Sequence, residues 1–226
     1  GAAIGRRLAT DGAAVMLAAR RTDRLEALAA EITAAGGTAA IATVDIADRA
    51  AVQRLADETE ARFGAIDVLI NNAGLMPLSP LAAGKVDEWE RMVDVNLKGV
   101  LYGIAAVLPV MTAQGFGQVI NVSSIGGHAV SPTAAVYCAT KYAVRAISDG
   151  LRQETDRLRV TVISPGVVTS ELAETITDAT ARDAMTAFRA VAIPPEAIAR
   201  AIRFAITRPD DVDTSEIVIR PTAQDL

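Results

Sequence analysis

Two short stretches decide the fold and the chemistry of this chain: NVSS at residues 121–124 and YCATK at residues 137–141. The first closes an apolar, β-branched run typical of a buried strand, and the second begins a helical pattern. Tyr137 and Lys141 stand four positions apart, so a helix places both side chains on one face. Ser124 then lies at the carboxyl end of the preceding strand, close to the start of this helix.

These three side chains predict proton transfer to or from a C–O group. A cation beside a phenol favours the phenolate, so we expect Lys141 to lower the pKa of Tyr137 toward the working pH. A tyrosine with such a pKa can serve as a general acid or base. The hydroxyl of Ser124 is placed to hold a carbonyl oxygen by a hydrogen bond.

Apolar runs alternate with helical stripes along the 226 residues. Several runs are apolar throughout, which favours parallel strands covered on both faces. The alternation predicts a single α/β domain over residues 1–226, a doubly wound parallel sheet in a Rossmann-type three-layer αβα sandwich. Residues 168–195 have weaker strand signals, and we interpret them as a segment that covers a cleft. The predicted strands are 14–19, 40–44, 66–70, 118–122, 160–164 and 216–219.

The chain opens in what reads as a helix, with Ile4, Leu8 and Ala9 on one face. A Rossmann unit has a strand and a glycine-rich turn before this helix, because N–H groups at the helix N-terminus hold a pyrophosphate. We interpret Gly1 as the last glycine of such a turn. We therefore expect the first strand and most of the turn, roughly 15–20 residues, to precede it in the natural protein, which would make a seven-stranded sheet.

Composition limits the partners. The net charge is -5 with acids and bases interspersed, which argues against a nucleic-acid partner. The single cysteine, Cys138, fits a reducing compartment, so we expect a cytoplasmic protein. The single histidine, His128, excludes a multi-histidine metal site, and no metal is expected. No uninterrupted apolar run approaches the roughly 20 residues of a membrane span, so no membrane partner is expected.

Further motifs occur in a fixed order. They are Asn-Asn-Ala-Gly at 71–74, Asp-Val-Asn at 94–96, Ser124, Tyr137, Lys141 and Pro-Gly at 165–166. Their order and spacing resemble the classical short-chain dehydrogenase/reductase family, over essentially the whole chain. The resemblance implies reversible hydride transfer between a nicotinamide cofactor and a ketone or aldehyde, or a secondary alcohol.

The resemblance also assigns roles by position. Tyr137 would be the general acid in reduction and the base in oxidation, with Lys141 lowering its pKa and holding the nicotinamide ribose. Ser124 would bind the substrate oxygen, and Asn96 would hold a water that links Lys141 to solvent. The expected cofactor contacts are Gly1, Arg20, Arg21, Asp45, Ile46, Asn72, Ala73, Gly74, Tyr137, Lys141, Pro165, Gly166, Val168 and Thr169.

The charge of the residues at the end of the predicted strand 14–19 indicates whether the cofactor is NAD(H) or NADP(H). NAD-preferring sites place an acid there to bind the adenosine 2′-hydroxyl. Ala19 occupies this place, and Arg20 and Arg21 follow. Because a guanidinium binds a phosphate with two hydrogen bonds, we predict that NADP(H) is preferred over NAD(H).

Two other functions share this fold. A catalytically silent dinucleotide-binding regulator is the main alternative, although the intact Ser124, Tyr137 and Lys141 argue against it. Epimerases and dehydratases of extended relatives carry a larger C-terminal domain than the residues after Pro165 can form. The run 217–222 resembles a subgroup that acts on hydroxy acids and small polar alcohols.

The family usually forms tetramers through paired long helices, so we expect a homo-oligomer, a tetramer or a dimer. The face that would suit such packing carries Leu101, Ala105, Ala106 and Leu108. The expected partner beyond a second copy is a small-molecule carbonyl or alcohol substrate.

Overall fold

The computed structural model describes residues 1–224 and has six strands with helices between them. The strands are β1 Ala14–Ala19, β2 Thr38–Thr43, β3 Val68–Asn71, β4 Gly117–Val122, β5 Leu158–Pro165 and β6 Glu216–Ile219. The α-helices are α1 Ala2–Thr10, α2 Thr22–Ala34, α3 Arg49–Phe63, α4 Val86–Val93, α5 Gly99–Gln114, α6 Ala135–Gln153, α7 Ala179–Phe188 and α8 Pro195–Ile206. Every predicted strand is present, with its bounds shifted by no more than two residues.

All paired strands are parallel, in the orders β1-β2 and β3-β4-β5-β6. Side chains of both groups share one core, in which Ala42 and Val44 pack in the same cluster as Val119 and Val160. The predicted doubly wound parallel fold is therefore confirmed. A continuous seven-stranded sheet is not present within residues 1–224, where six strands divide into groups of two and four.

Helices cover both faces of the strands and give three layers. On one face, α3, α5 and α6 pack through Val52, Ile104 and Val144. On the other face, α1 and α8 pack through Ile4 and Ile202, while α2 covers β1. Because helices cover both faces of the sheet, polar side chains reach solvent mainly at the ends of the strands.

Helices α4 and α5 form one helical stretch, Val86–Gln114, joined by a π turn at Asp94–Lys98. By length and composition this stretch of 29 residues could cross a membrane. Lys98 interrupts the apolar run without ending the helix, so the helix is longer than the apolar run that the sequence shows. Within the domain, 44% of the apolar window is buried.

The face of α5 predicted for association is only partly exposed. Leu101 and Ala105 lie on the surface, but Ala106 is 3% exposed and packs inside the core. Leu108 is half-buried against the same cluster. Ala106 was assigned wrongly because adjacent helical residues point about 100° apart, so it cannot share the outer face of Ala105.

Helix α5 approaches β3 closely at Gly103, where a Cβ would lie 2.5 Å from Asn71 Oδ1. Asn71 Nδ2 donates to Asn121 Oδ1 at 2.9 Å, and Asn121 Nδ2 donates to Ser148 Oγ at 2.9 Å. This polar chain joins β3, β4 and α6 at the carboxyl ends of the strands. It therefore fixes the elements that carry the predicted catalytic residues relative to one another.

The substitution Gly103→Ala tests this contact. Its methyl group must displace the Asn71 amide, so we expect the free energy of unfolding to fall by about 1–3 kcal/mol in urea denaturation. Gly150→Ala on α6 is the matched control, since a Cβ there meets nothing within 4 Å. This control should gain about 0.5–1 kcal/mol. Equal changes in both variants would contradict the close approach of α5 to β3.

Candidate active site

Ser124, Tyr137 and Lys141 meet at the carboxyl end of β4. Ser124 opens a short 3₁₀ turn, Ile125–Gly127, and its Oγ accepts a hydrogen bond from the Gly126 N–H at 3.0 Å. A Cβ on Gly126 would lie 3.4 Å from Ser124 Oγ and 3.3 Å from Tyr137 Cε1. The serine and the tyrosine ring therefore flank one glycine, and a side chain at that position would crowd both.

Lys141 lies one helical turn beyond Tyr137 and is 6% exposed. Its Nζ is 5.8 Å from the centroid of the Tyr137 ring and donates to the Val122 carbonyl at 2.9 Å. Ser123 Oγ donates to the backbone carbonyl of Lys141 at 2.9 Å, which ties the helix to the strand end. Lys141 has no carboxylate partner within residues 1–224, and burial lowers its pKa to about 8.

The phenol of Tyr137 is buried as well. Burial raises the pKa of Tyr137 to about 12, and hydrogen bonding with Ser124 acts in the opposite direction without reversing it. The prediction that Lys141 lowers this pKa below its ordinary value is therefore wrong for the structure. Loss of hydration penalises the phenolate, and the hydrogen bond with Ser124 offsets only part of that penalty. At neutral pH the phenol is therefore protonated.

Asn96 lies in the π turn and is 1% exposed. Its Oδ1 accepts from the Leu75 N–H at 2.9 Å, and its Nδ2 donates to the Leu75 carbonyl at 2.9 Å and to Thr140 Oγ1 at 3.3 Å. The side chain thus holds the loop after β3 against α6, beside Lys141. No pattern in the sequence indicated these partners, which lie 21 and 44 residues away from Asn96 along the chain.

The loop after β3 leaves an open surface beside the ammonium. Asn72, Ala73 and Gly74 are exposed. A Cβ on Gly74 would lie 3.4 Å from Asn96 Oδ1 and 3.8 Å from Lys141 Nζ. Glycine at this position therefore keeps the approach to Lys141 free of side chains, as a ligand that binds the ammonium requires.

The other predicted cofactor residues also follow strand ends. Gly1 precedes α1 beside Asn72, where a Cβ on the glycine would lie 3.5 Å from Asn72 Nδ2. Asp45 and Ile46 follow β2, and Ile46 packs against Gly99 at the start of α5. Pro165 ends β5, Gly166 donates its N–H to the Ile219 carbonyl at 2.7 Å, and Val168 and Thr169 pair with Ile193.

The two arginines after β1 have different surroundings. Arg21 forms an ion pair with Glu171 at 2.7 Å, and Arg24 binds the same carboxylate. Arg20 is exposed and has no acidic partner among residues 1–224. Arg21 is therefore engaged by a carboxylate, whereas Arg20 is not engaged by any carboxylate of the described residues. Sequence reasoning missed this ion pair because Glu171 lies in a distant segment.

Residues 168–195 lie over the tyrosine. Leu172, Ile176 and Ala181 share one apolar cluster with Tyr137 and Leu75. The segment 168–195 is also held by a hydrogen bond from the Met76 N–H to Thr175 Oγ1 at 3.0 Å.

A cavity of about 440 Å³ opens within this segment, lined by Thr169, Ala173, Glu174, Arg182, Met185, Thr186, Arg189, Ala190 and Ala192. Across residues 1–224, no cluster of three or more His, Cys, Asp or Glu side chains could hold a metal ion.

The model of the short chain dehydrogenase family matches residues 1–181. An uncharacterized oxidoreductase of Staphylococcus saprophyticus is 47% identical over 223 residues, covering 97% of this chain and 90% of the relative. The chain therefore belongs to the short-chain dehydrogenase family, as the motifs indicated, and it is an oxidoreductase of that family.

Solved structures agree with this assignment. An alcohol dehydrogenase from the archaeon Thermococcus sibiricus, complexed with 5-hydroxy-NADP, is 29% identical with a TM-score of 0.89 and covers 100% of this chain and 93% of its own. The closed form of a serine dehydrogenase complexed with NADP+ is 33% identical with a TM-score of 0.91, covering 99% of this chain and 91% of its own.

The substitution Lys141→Met tests the cost of burying the ammonium. Since the pKa of Lys141 is lowered from 10.5 to about 8, the unfolded chain binds more protons than the folded chain between these values. The stability of the wild type must therefore rise with pH across this window. Urea denaturation from about pH 7.5 to pH 10 should show the wild type gaining up to about 3 kcal/mol relative to the variant. A constant difference would contradict an unpaired buried ammonium.

Proposed function

We propose that this chain is an NADP(H)-dependent oxidoreductase that interconverts a ketone or aldehyde and the corresponding alcohol. The observation that carries the proposal is the convergence of Ser124, a protonated buried Tyr137 and an unpaired buried Lys141 at one strand end. The exposed loop 72–74 borders this group and supplies a surface for a cofactor.

The residues present fit a nicotinamide dinucleotide. Lys141 binds one carbonyl and has no acidic partner within the described chain, which leaves ammonium donors for sugar hydroxyls. Arg20, without a carboxylate of its own, suits a 2′-phosphate. Both solved relatives named above were determined with NADP or an NADP derivative, which supports the same cofactor here. When bound, the nicotinamide supplies or accepts the hydride.

Tyr137 delivers the proton in the reduction. A phenol with a pKa of about 12 is protonated at neutral pH, yet it is a stronger acid than an alcohol, whose pKa is close to the roughly 16 of water. Lys141 then stabilises the phenolate that remains. Asn96 Oδ1 and Lys141 Nζ both lie within 4 Å of the position of a Cβ on Gly74, so Asn96 is placed to belong to the route by which a proton returns from solvent.

Ser124 holds the substrate oxygen. The Gly126 N–H occupies one acceptor position of Ser124 Oγ, and the hydroxyl is also hydrogen-bonded with Tyr137, so a substrate oxygen placed between the two hydroxyls can accept from both. A hydrogen bond from this hydroxyl strengthens as negative charge grows on the substrate oxygen, which lowers the barrier to reduction.

The substitution Tyr137→Phe removes the proton donor and little else. We expect kcat for NADPH-dependent reduction to fall by about 10²–10⁴-fold, with the Kd for NADPH unchanged within about twofold. Rates come from NADPH oxidation with a panel of ketones and aldehydes, and the Kd from fluorescence titration. Full turnover by the variant would refute the role of Tyr137. Wild-type protein that binds NADPH but reduces no carbonyl of the panel would favour the silent regulator.

The substitution Arg20→Asp tests the choice of cofactor. The new carboxylate repels a 2′-phosphate and accepts from a 2′-hydroxyl, so kcat/KM with NADPH should fall by about 10–100-fold relative to that with NADH. Arg54→Asp, an equal charge change at an exposed position of α3, is the control and should leave this ratio unchanged. An equal ratio for wild type and Arg20→Asp would contradict the assignment of Arg20.

We further infer that the protein acts in the cytoplasm on a small-molecule substrate, without a membrane partner, as a homotetramer or dimer. The single cysteine supports a reducing compartment. Leu101, 42% exposed on α5, and Tyr142, 39% exposed on α6, support association through these helices. Light scattering of the purified protein measures the assembly directly.

A further inference from the structure

A second polar cluster lies behind Ser124, and its centre is Glu216, the first residue of β6. Glu216 Oε1 accepts from Ser164 Oγ at 2.6 Å and lies 2.7 Å from His128 Nε2. Glu216 Oε2 accepts from Arg145 Nη2 at 3.2 Å. These side chains are only partly exposed, and Ser164 is fully buried. One carboxylate thus gathers groups from β5, α6 and the loop after β4.

This cluster holds the end of the turn that Ser124 begins. The Gly127 N–H donates to the Ser124 carbonyl at 2.9 Å, and His128 is the residue that follows the turn. Arg145 Nη1 donates to the Gly127 carbonyl at 2.9 Å while its other nitrogen binds Glu216. Glu216 therefore anchors the turn twice, directly through His128 and indirectly through Arg145.

The cluster contains serine, histidine and glutamate, but its geometry is unsuited to nucleophilic catalysis. In such catalysis the histidine accepts the serine proton and the acid binds the other ring nitrogen. Here Ser164 Oγ donates to the same carboxylate oxygen that binds His128. Ser164 is also 0% exposed, so no substrate can reach it.

We propose that Glu216 and His128 are positioning residues for the oxidoreductase reaction, an inference that rests on the proposed function. Their hydrogen bond, 2.7 Å between His128 Nε2 and Glu216 Oε1, fixes the turn at residues 125–127 and thereby the direction of the Ser124 hydroxyl toward the substrate oxygen. Charge-assisted hydrogen bonds are short and strong, which suits them to this task. Because catalysis depends on sub-ångström placement of reacting groups, a loosened turn lowers kcat while the cofactor site stays intact.

The chain offers a matched control seven residues along α6. Arg152 Nε lies 3.1 Å from Asp213 Oδ2, and Asp213 Oδ1 accepts from the Val160 N–H at 3.1 Å. This pair also joins α6 to the segment that enters β6, but at the amino end of β5, away from Ser124. Within residues 1–224, the hydrogen bonds of Arg152 reach no residue of the 124–128 turn.

The test compares Glu216→Gln with Asp213→Asn, measuring kcat for carbonyl reduction and KM for NADPH. A carboxamide has no charge and one acceptor oxygen instead of two, so we expect Glu216→Gln to lower kcat about tenfold with KM for NADPH unchanged. Asp213→Asn should change neither quantity by more than about twofold. His128→Ala should match Glu216→Gln, and His128→Gln, which keeps a donor for the carboxylate, should recover most of the rate.

Amide hydrogen exchange of residues 124–129, followed by mass spectrometry, measures how well the turn is ordered and does not require an active enzyme. Exchange should accelerate about tenfold in Glu216→Gln and stay unchanged in Asp213→Asn. Unchanged exchange in Glu216→Gln, or faster exchange with unchanged kcat, would overturn the proposal. If the wild type reduces no carbonyl, the proposed function fails, and with it the catalytic part of this inference. The exchange data would still decide whether Glu216 anchors the turn.

Discussion

This site depends on the burial of a lysine ammonium and a tyrosine phenol in one place, where no carboxylate of residues 1–224 pairs with the lysine. Taking an unpaired cation out of water is unfavourable, so the surrounding elements must hold it there. The chain does so with backbone and neutral polar groups: Val122 accepts from the ammonium, and Ser123 ties α6 to β4. A carboxylate partner would have offset part of this cost and engaged the donors of the ammonium.

Residues 168–195, which cover Tyr137, are held by a buried apolar cluster and by exposed ion pairs. The apolar cluster around Ile176 excludes water and produces the raised pKa of Tyr137. The ion pairs of Glu171 with Arg21 and Arg24 are exposed, and such pairs contribute little to stability. Tyr137 as a whole is only 8% exposed, and residues of this segment supply part of that burial. The segment from 168 to 195 therefore contributes to the raised pKa of the tyrosine.

Much of this architecture was readable from the sequence. The periodicity of apolar residues and the composition predicted the bounds of the six strands to within two residues. The spacing of Ser124, Tyr137 and Lys141 predicted that these side chains lie close together. The sign of the Tyr137 pKa shift was not predictable, because desolvation depends on residues such as Ile176 that pack from a distant segment. The Glu216–His128 contact was equally hidden, since its partners are 88 residues apart and neither belongs to a motif. The local pattern of apolar and polar residues predicts the helices and strands and their order. Burial and ion pairs between distant residues arise only when those helices and strands pack together.

Titration of Tyr137 by nuclear magnetic resonance decides whether burial controls the ionisation of this phenol. The chain contains three tyrosines, so labelling their Cζ carbons with ¹³C gives three signals, and Tyr137→Phe identifies one of them. Because burial raises the pKa of Tyr137 to about 12, its signal should keep the chemical shift of a neutral phenol at about pH 10.5, where an unperturbed tyrosine is mostly ionised. A Tyr137 signal that titrates at or below about pH 10 would show that desolvation does not control this phenol, and would contradict the raised pKa.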